Sequence, residues 1–520
     1  MLTPLSFTSG KSTGAAKACL AACVDTADGS AVLGERNWRA NYYKHFLAVN
    51  ARMLAASPDE CVRMCEAGLK ACREEFSVEG QTLGQLERAW ARDDSASSFT
   101  TNVVKGSGPS RPFSCPFNEA GPQDLATTIT TMEGLVSAGA AEPSCLSSLR
   151  RLLENSEWQR EANSENVFVV LGAGSQMGPA RCLLSLGCTV IAVDLHGRPD
   201  VWDRLIAHAT TTNGSLLIPV HKNRKEDAGC NVLTEFLDIA QWIVEAADHH
   251  RPGKRIVIAT FLYADGAIFS RLAVAADAIV QAVTAKRPDT ALQSLCSPTE
   301  CFSVPLEANE EASRRFESRS AWMCAVEKLS MGRYLERNKP LRVRGVEESG
   351  REHLLQDSFV WQQGPNYAFA KLVQRWRNLL HWWGKGSAVT SNVAPASLTV
   401  SVMHNRLIRA GMLGCQFFGI VPFQPATSNS LMTVLALHDL SKFQDEESDP
   451  RRMLSGHPMD LFMANAVHGG TWRCAFKTNS YTEVSAVIYG LKSAAPYGAV
   501  ATAVGVLASK AMSGRGSSRL

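Results

Sequence analysis

The chain has 520 residues, more than one ordinary core encloses, which predicts two to four domains. Apolar residues make up 45% and charged residues 20%, the balance of a folded soluble protein rather than a disordered one. A net charge of +3 is too weak to argue for nucleic acid or an anionic membrane, and no block of like charges forms a binding tail.

Residues 1–160 read as a mainly helical region. The first 24 residues hold Lys11 and Lys17 but no acid, a faint transit-peptide trait that ordinary disorder explains better. Apolar residues at three- and four-residue steps predict amphipathic helices over Tyr42–Leu54 and Pro58–Phe76. A Gly/Ser/Pro-rich loop follows at Lys105–Pro116, then a helix at Cys145–Trp158. The 15 cysteines lack a CxxC pair or zinc spacing; they read as structural thiols of a reducing compartment, with no metal site.

Residues 161–445 alternate short apolar runs with helical stretches, the pattern of a mostly parallel sheet with covering helices. Strands are predicted at Asn166–Leu171, Thr189–Val193, Ser215–Val220, Arg255–Thr260, Thr290–Cys296 and Ala388–Val393. Helices are predicted at Met177–Leu186, Val201–Thr210, Leu233–Asp248, Phe269–Lys286 and Ala368–Trp383. A charge-dense stretch, about 307–359, reads as an insertion. Residues 446–520 read as a helical C-terminal cap and tail, with Ala495–Met512 a surface-packed helix rather than a stable membrane span. The final Ser518-Arg519-Leu520 is a close variant of the peroxisomal address, so a peroxisomal location is expected beside a cytoplasmic one.

The most informative segment runs from Val167 to Gly178, a buried strand entering a glycine-rich turn. Glycines at 172, 174 and 178 let the backbone approach a pyrophosphate, whose charge then sits at a helix N-terminus. Gly172, Gly174, Ser175, Gln176, Met177 and Gly178 are therefore the expected cofactor contacts. The second strand ends in Asp194, where a carboxylate can accept hydrogen bonds from a ribose diol; this favours NAD, while Arg198 keeps NADP open. The expected fold is α/β, a doubly wound and mostly parallel Rossmann-like sheet, with a helical N-terminal region and a helical C-terminal cap.

Tyr367-Ala-Phe-Ala-Lys371 has the Y-x-x-x-K spacing, and positions i and i+4 share a helix face. Asn392-Val-Ala-Pro395-Ala-Ser-Leu-Thr399 follows, close to a strand ending in Pro-Gly and a threonine. With the glycine loop, these residues make the chain resemble the short-chain dehydrogenase/reductase family. The resemblance implies that Tyr367 moves the substrate proton, that Lys371 lowers its pKa and holds the nicotinamide ribose, and that Pro395 and Thr399 contact the nicotinamide amide. It also implies a serine after the fifth strand to polarise the substrate carbonyl, filled here by Ser297 with Thr299 in reserve. The Asn-Asn-Ala-Gly signature is absent, replaced by Ala259-Thr-Phe-Leu-Tyr-Ala-Asp-Gly266, and Gln176 stands where the middle glycine belongs.

The expected function is NAD(P)-dependent oxidation or reduction of a small-molecule carbonyl or alcohol, with a lipid-like substrate suggested by Trp361, Trp376, Trp382 and Trp383. Packing is the plainer account of those tryptophans. No nucleic-acid partner is expected, and homo-oligomerisation is left open. Two rivals remain: an S-adenosylmethionine-dependent methyltransferase, which uses a similar glycine turn and acid, and a non-catalytic Rossmann-type scaffold or nucleotide sensor. His468-Gly469-Gly470 resembles a lipase oxyanion loop, but no G-x-S-x-G elbow accompanies it.

Overall fold

The computed structural model describes residues 3–92, 95–117, 121–223, 228–346, 352–441 and 456–494. The expectations for Ala495–Met512 and for the terminal tripeptide lie outside these residues. Seven strands form the central sheet: β1 (Phe99–Lys105), β2 (Asn166–Leu171), β3 (Thr189–Val193), β4 (Ser215–His221), β5 (Arg255–Thr260), β6 (Ala291–Cys296) and β7 (Val389–Val393). Their order across the sheet is β7-β6-β5-β2-β3-β4-β1. Strands β2 to β7 are mutually parallel; β1 pairs antiparallel with β4, Phe99 opposite His221 and Lys105 opposite Ser215.

The parallel strands are apolar runs buried on both sides, as a sheet covered on two faces requires. Side chains alternate between faces. Val167, Val169, Leu171, Ile256 and Ile258 enter one core, with the helices Trp38–Ala55, Pro58–Glu75, Val232–His250, Ala267–Lys286 and Pro365–Leu379. Phe168, Val170, Val190, Ala192, Val257 and Ala259 enter another, with Leu125–Ser137, Ser144–Glu154, Pro199–Thr210 and Pro425–Ser441. Ala267–Lys286 is long and apolar enough to cross a membrane, but here it is a core helix, 72% of its most apolar window being buried.

Several elements differ from expectation. Ser12–Ala22 is a helix where disorder was expected, because Ala15, Ala16, Cys19 and Leu20 find buried partners. Strand β1 went unpredicted: its residues alternate only weakly between buried and exposed, as an edge strand's do. The first helix after the glycine turn is Ala180–Ser185 rather than Met177–Leu186; Pro179 has no N–H, and the chain before it is held in turns. The tyrosine helix ends at Leu379 and passes into a π turn at Leu380–Gly384. The 307–359 stretch supplies helices Leu306–Glu317 and Ala321–Leu329 and two strands that join Cys301–Val304 in a separate antiparallel sheet.

Buried charge ties the layers together. Asp277 receives Arg377 through Nε at 2.5 Å and Nη2 at 3.0 Å, and Arg73 through Nη1 at 2.7 Å, joining three helices. Elsewhere Glu142 accepts both Nη2 bonds of Arg473 at 2.7 Å and one from His468 Nε2 at 3.0 Å. The Gly470 amide donates to His468 Nδ1 at 3.1 Å, so this histidine is a neutral strut rather than an oxyanion-loop residue.

Candidate active site

Chain order moves outward from β2 in both directions, to β3 and β4 on one side and β5 to β7 on the other. In open α/β sheets ligands bind at the carboxyl ends of the strands beside such a reversal. The glycine loop lies there. Gly172 has φ +86° and a β-carbon on it would come within 2.8 Å of the Phe261 carbonyl oxygen, so only glycine fits.

Hydrogen-bond accounting shows how the loop is used. The amides of Gly172 and Ala173 donate to Val193 O at 2.8 and 3.1 Å, Ser175 to Gly172 O at 3.0 Å, and Gly178 to Ser175 O at 3.1 Å. The Gly174 amide donates to Asp194 Oδ2 at 2.7 Å, and the Leu195 amide to Oδ1 at 2.8 Å. Asp194 is thus drawn against the loop, with lone pairs left on both oxygens for a diol. The Gln176 side chain is engaged within the protein: its Oε1 accepts the Val400 amide at 2.9 Å, bridging the loop to the segment after β7. Asn429 donates to the carbonyl of Gly178 from the opposite side. Only the Gln176 and Met177 amides, at the loop's tip, have no partner among the described residues. The loop therefore fits a ribose at Asp194 and offers a phosphate a cradle of two amides rather than a full turn of them.

Pro395 and Thr399 stand beside this loop but are engaged locally. Pro395 O accepts from Ser397 Oγ at 3.0 Å, and the Thr399 hydroxyl is 3.0 Å from that of Ser401. Thr399 also precedes the short Val400–His404 helix.

The serine, tyrosine and lysine do come together. Gly364, at φ +85°, turns the chain, and Pro365 then starts the helix that carries Tyr367 and Lys371. Ser297 leaves the end of β6 and brings its hydroxyl near the Tyr367 phenol. Its hydroxyl is also 2.7 Å from Thr299 Oγ1, which accepts Gln363 Nε2 at 2.5 Å. Thr299 thus ties Ser297 to Gln363. Lys371 Nζ donates to Leu295 O at 3.0 Å and Gln374 Oε1 at 3.3 Å, fixing the ammonium under the end of β6.

The phenol's electrostatics run against the expected lowering. Burial, and then the nearby Glu300, push the Tyr367 pKa well up, and the nearby Ser297 hydroxyl only partly offsets them. Glu300 is 3% exposed and neither carboxyl oxygen has a hydrogen-bond partner. Burial raises its pKa too, against the pull of Arg375 and Lys371.

A cavity of about 200 Å³ opens beside Tyr367. Tyr263, Asp265 and Phe269 line one wall, Gln363 and Asn366 another, and Arg39 reaches in from the N-terminal helices. The rings of Phe269 and Tyr263 lie 5.5 and 6.5 Å from that of Tyr367. Tyr263 donates to Asp265 Oδ1 at 2.9 Å, and burial with that carboxylate pushes its pKa up to about 12. The segment bearing Tyr263 is the continuation of Phe261, which rests on Gly172.

No protein-family model matches the chain, and no curated protein is similar to it. The site therefore rests on its own geometry. Arg39, Tyr263, Asp265, Gln363 and Glu300 had no part in the expected site. Tyr263 and Glu300 lie within segments singled out by their position after β5 and β6, whereas nothing local to Arg39 signals a role. Among the tryptophans, Trp376 and Trp382 are core, 0% and 1% exposed, and only Trp361 stands out at 44%. Among the described residues no group of His, Cys, Asp and Glu is arranged to hold a metal ion.

Proposed function

We propose that the chain is a Rossmann-like, doubly wound NAD(P)-dependent oxidoreductase that reduces a small carbonyl compound. The observation that carries the reading is Tyr367 lining a cavity, with the Ser297 hydroxyl near its phenol at the end of β6 and Lys371 one helical turn on, anchored on Leu295 O. Asp194 would hold the adenosine ribose and the Gln176 and Met177 amides a phosphate. The dinucleotide, when bound, supplies the hydride.

The chain's own residues supply the proton and the orientation. Ser297, aligned through Thr299 and Gln363, donates to the substrate oxygen. Tyr367 is held protonated by burial and by Glu300, which suits a donor to an oxygen gaining negative charge, and hence the reducing direction. The Lys371 ammonium, anchored on Leu295 O, stabilises the phenolate left behind. Tyr263 and Phe269 offer apolar faces to the substrate and Arg39 a cation at the cavity's rim.

A second reading, a nucleotide sensor without turnover, is favoured by the engaged amides of the glycine loop. Titrating the full chain with NADH, NADPH and S-adenosylmethionine separates these. Binding of NADH or NADPH, with a panel of aldehydes and ketones reduced and turnover falling about 10²- to 10⁴-fold in Tyr367→Phe, is expected for the reductase. Dinucleotide binding with no turnover on any compound supports the sensor, and tight binding of S-adenosylmethionine alone removes both.

A further inference from the structure

The overall charge of +3 conceals a long acid-free stretch. No Asp or Glu occurs between Asp357 and Asp439, whereas Lys371, Arg375, Arg377, Lys385, Arg406 and Arg409 do. Two of these cations lie on the Arg406–Gly414 helix, which follows the segment that Gln176 ties to the glycine loop. This helix buries its glycines and leaves its large aliphatic residues exposed. Its Gly411 and Gly414 face lies against the Thr478–Ala494 helix so closely that any side chain at 414 would collide with the Ser485 carbonyl. Its first turn bares Leu407 at 67% and Ile408 at 41% exposure, with Val400 at 54% just before it. Arg406, Arg409 and His404 are exposed among them. Asn405 fixes the turn by accepting the amides of Leu407 and Ile408 at 3.0 and 3.2 Å. The neighbouring acid, Glu483, accepts the Tyr334 hydroxyl at 3.0 Å, pointing it toward the interior contact.

Three exposed aliphatic side chains thus stand near two arginines that have no ion pair among the described residues. Acyl chains match the first and anionic headgroups the second, the combination an interfacial helix uses. We propose that Val400, Leu407 and Ile408, with Arg406 and Arg409, form a docking surface for an anionic lipid bilayer. The surface sits at the carboxyl edge of the sheet, so docking would turn the cavity's end of the molecule toward the membrane. The assignment does not rest on the redox reading.

The test is co-sedimentation of the full chain with phosphatidylcholine vesicles, with and without phosphatidylserine. Binding is expected only where phosphatidylserine is present, and it should weaken as salt rises. Each arginine near an anionic surface is worth about fivefold, so Arg406→Gln/Arg409→Gln should bind roughly 25-fold more weakly. Leu407→Ser/Ile408→Ser should lose at least about tenfold, since burying each aliphatic side chain is worth more than that. All these residues are exposed, so circular dichroism and dinucleotide binding should be unchanged in both variants; the redox reading then stands or falls separately. No binding to phosphatidylserine vesicles at low salt, or full binding by both double variants, overturns the proposal. So does a concentration-dependent dimer that Leu407→Ser/Ile408→Ser dissolves, which would assign the surface to a second copy of the chain.

Discussion

Replacing Asp277 by asparagine tests the buried charge that joins the N-terminal helices to the site helix. Asp277 is 5% exposed and faces two guanidiniums. Burial alone would raise its pKa, but Arg377 and Arg73 more than offset that and bring it to about 2, from 3.8. A difference of nearly two pKa units corresponds to about 2 kcal/mol in favour of the folded state. For a carboxyl whose folded pKa is depressed, that contribution is present above 3.8 and drains away as the pH falls toward 2. In Asp277→Asn the two cations face a neutral amide, so the loss at pH 7 should be larger, about 3–5 kcal/mol. Urea unfolding of both proteins at pH 7 and at pH 3 measures it. The gap between them should be several kcal/mol at pH 7 and visibly narrower at pH 3. A gap below about 1 kcal/mol at pH 7, or one of equal size at both pH values, would refute the reasoning.

Glu300→Gln should behave in the opposite way. A carboxyl whose folded pKa is raised costs stability as the pH climbs above its unfolded value of 4.5, so the variant should gain on the wild type between pH 5 and pH 8 in the same assay; a constant difference would show that Glu300 is not held protonated. Gly172→Ala combines a φ of +86° with a contact at 2.8 Å and should cost about 1–3 kcal/mol, read from the thermal midpoint. Glu142→Gln leaves Arg473 buried against one acid fewer and should cost about 3 kcal/mol by the same measurement; an unchanged midpoint would mark the His468 strut as dispensable.

The parallel strands were legible because burial on both faces writes a nearly uninterrupted apolar run, and β2, β3 and β5 appear at the expected bounds. Strand β1 was not, since an edge strand half open to solvent carries threonines and an asparagine that fit a loop equally well. In the site, the Tyr367–Lys371 spacing and the serine after β6 were visible from local order along the chain. The pairing of Ser297 with Tyr367 spans the whole inserted antiparallel sheet. No local pattern reports that Arg39 reaches the cavity, or that Asp194 folds back onto Gly174. Those contacts follow from the tertiary arrangement alone. The turn before Pro179 was misread for a local reason, because a helical pattern through Met177 says nothing of the missing amide two residues later.

Strand β1 also dictates an order of assembly. It leaves the ribosome long before β4, its one neighbour in the sheet, with Phe99 awaiting His221. Trp242, whose indole clasps Thr101, arrives later still. The early segment stays unclosed until nearly half the polypeptide has been made, and only then does the sheet's edge lock all at once.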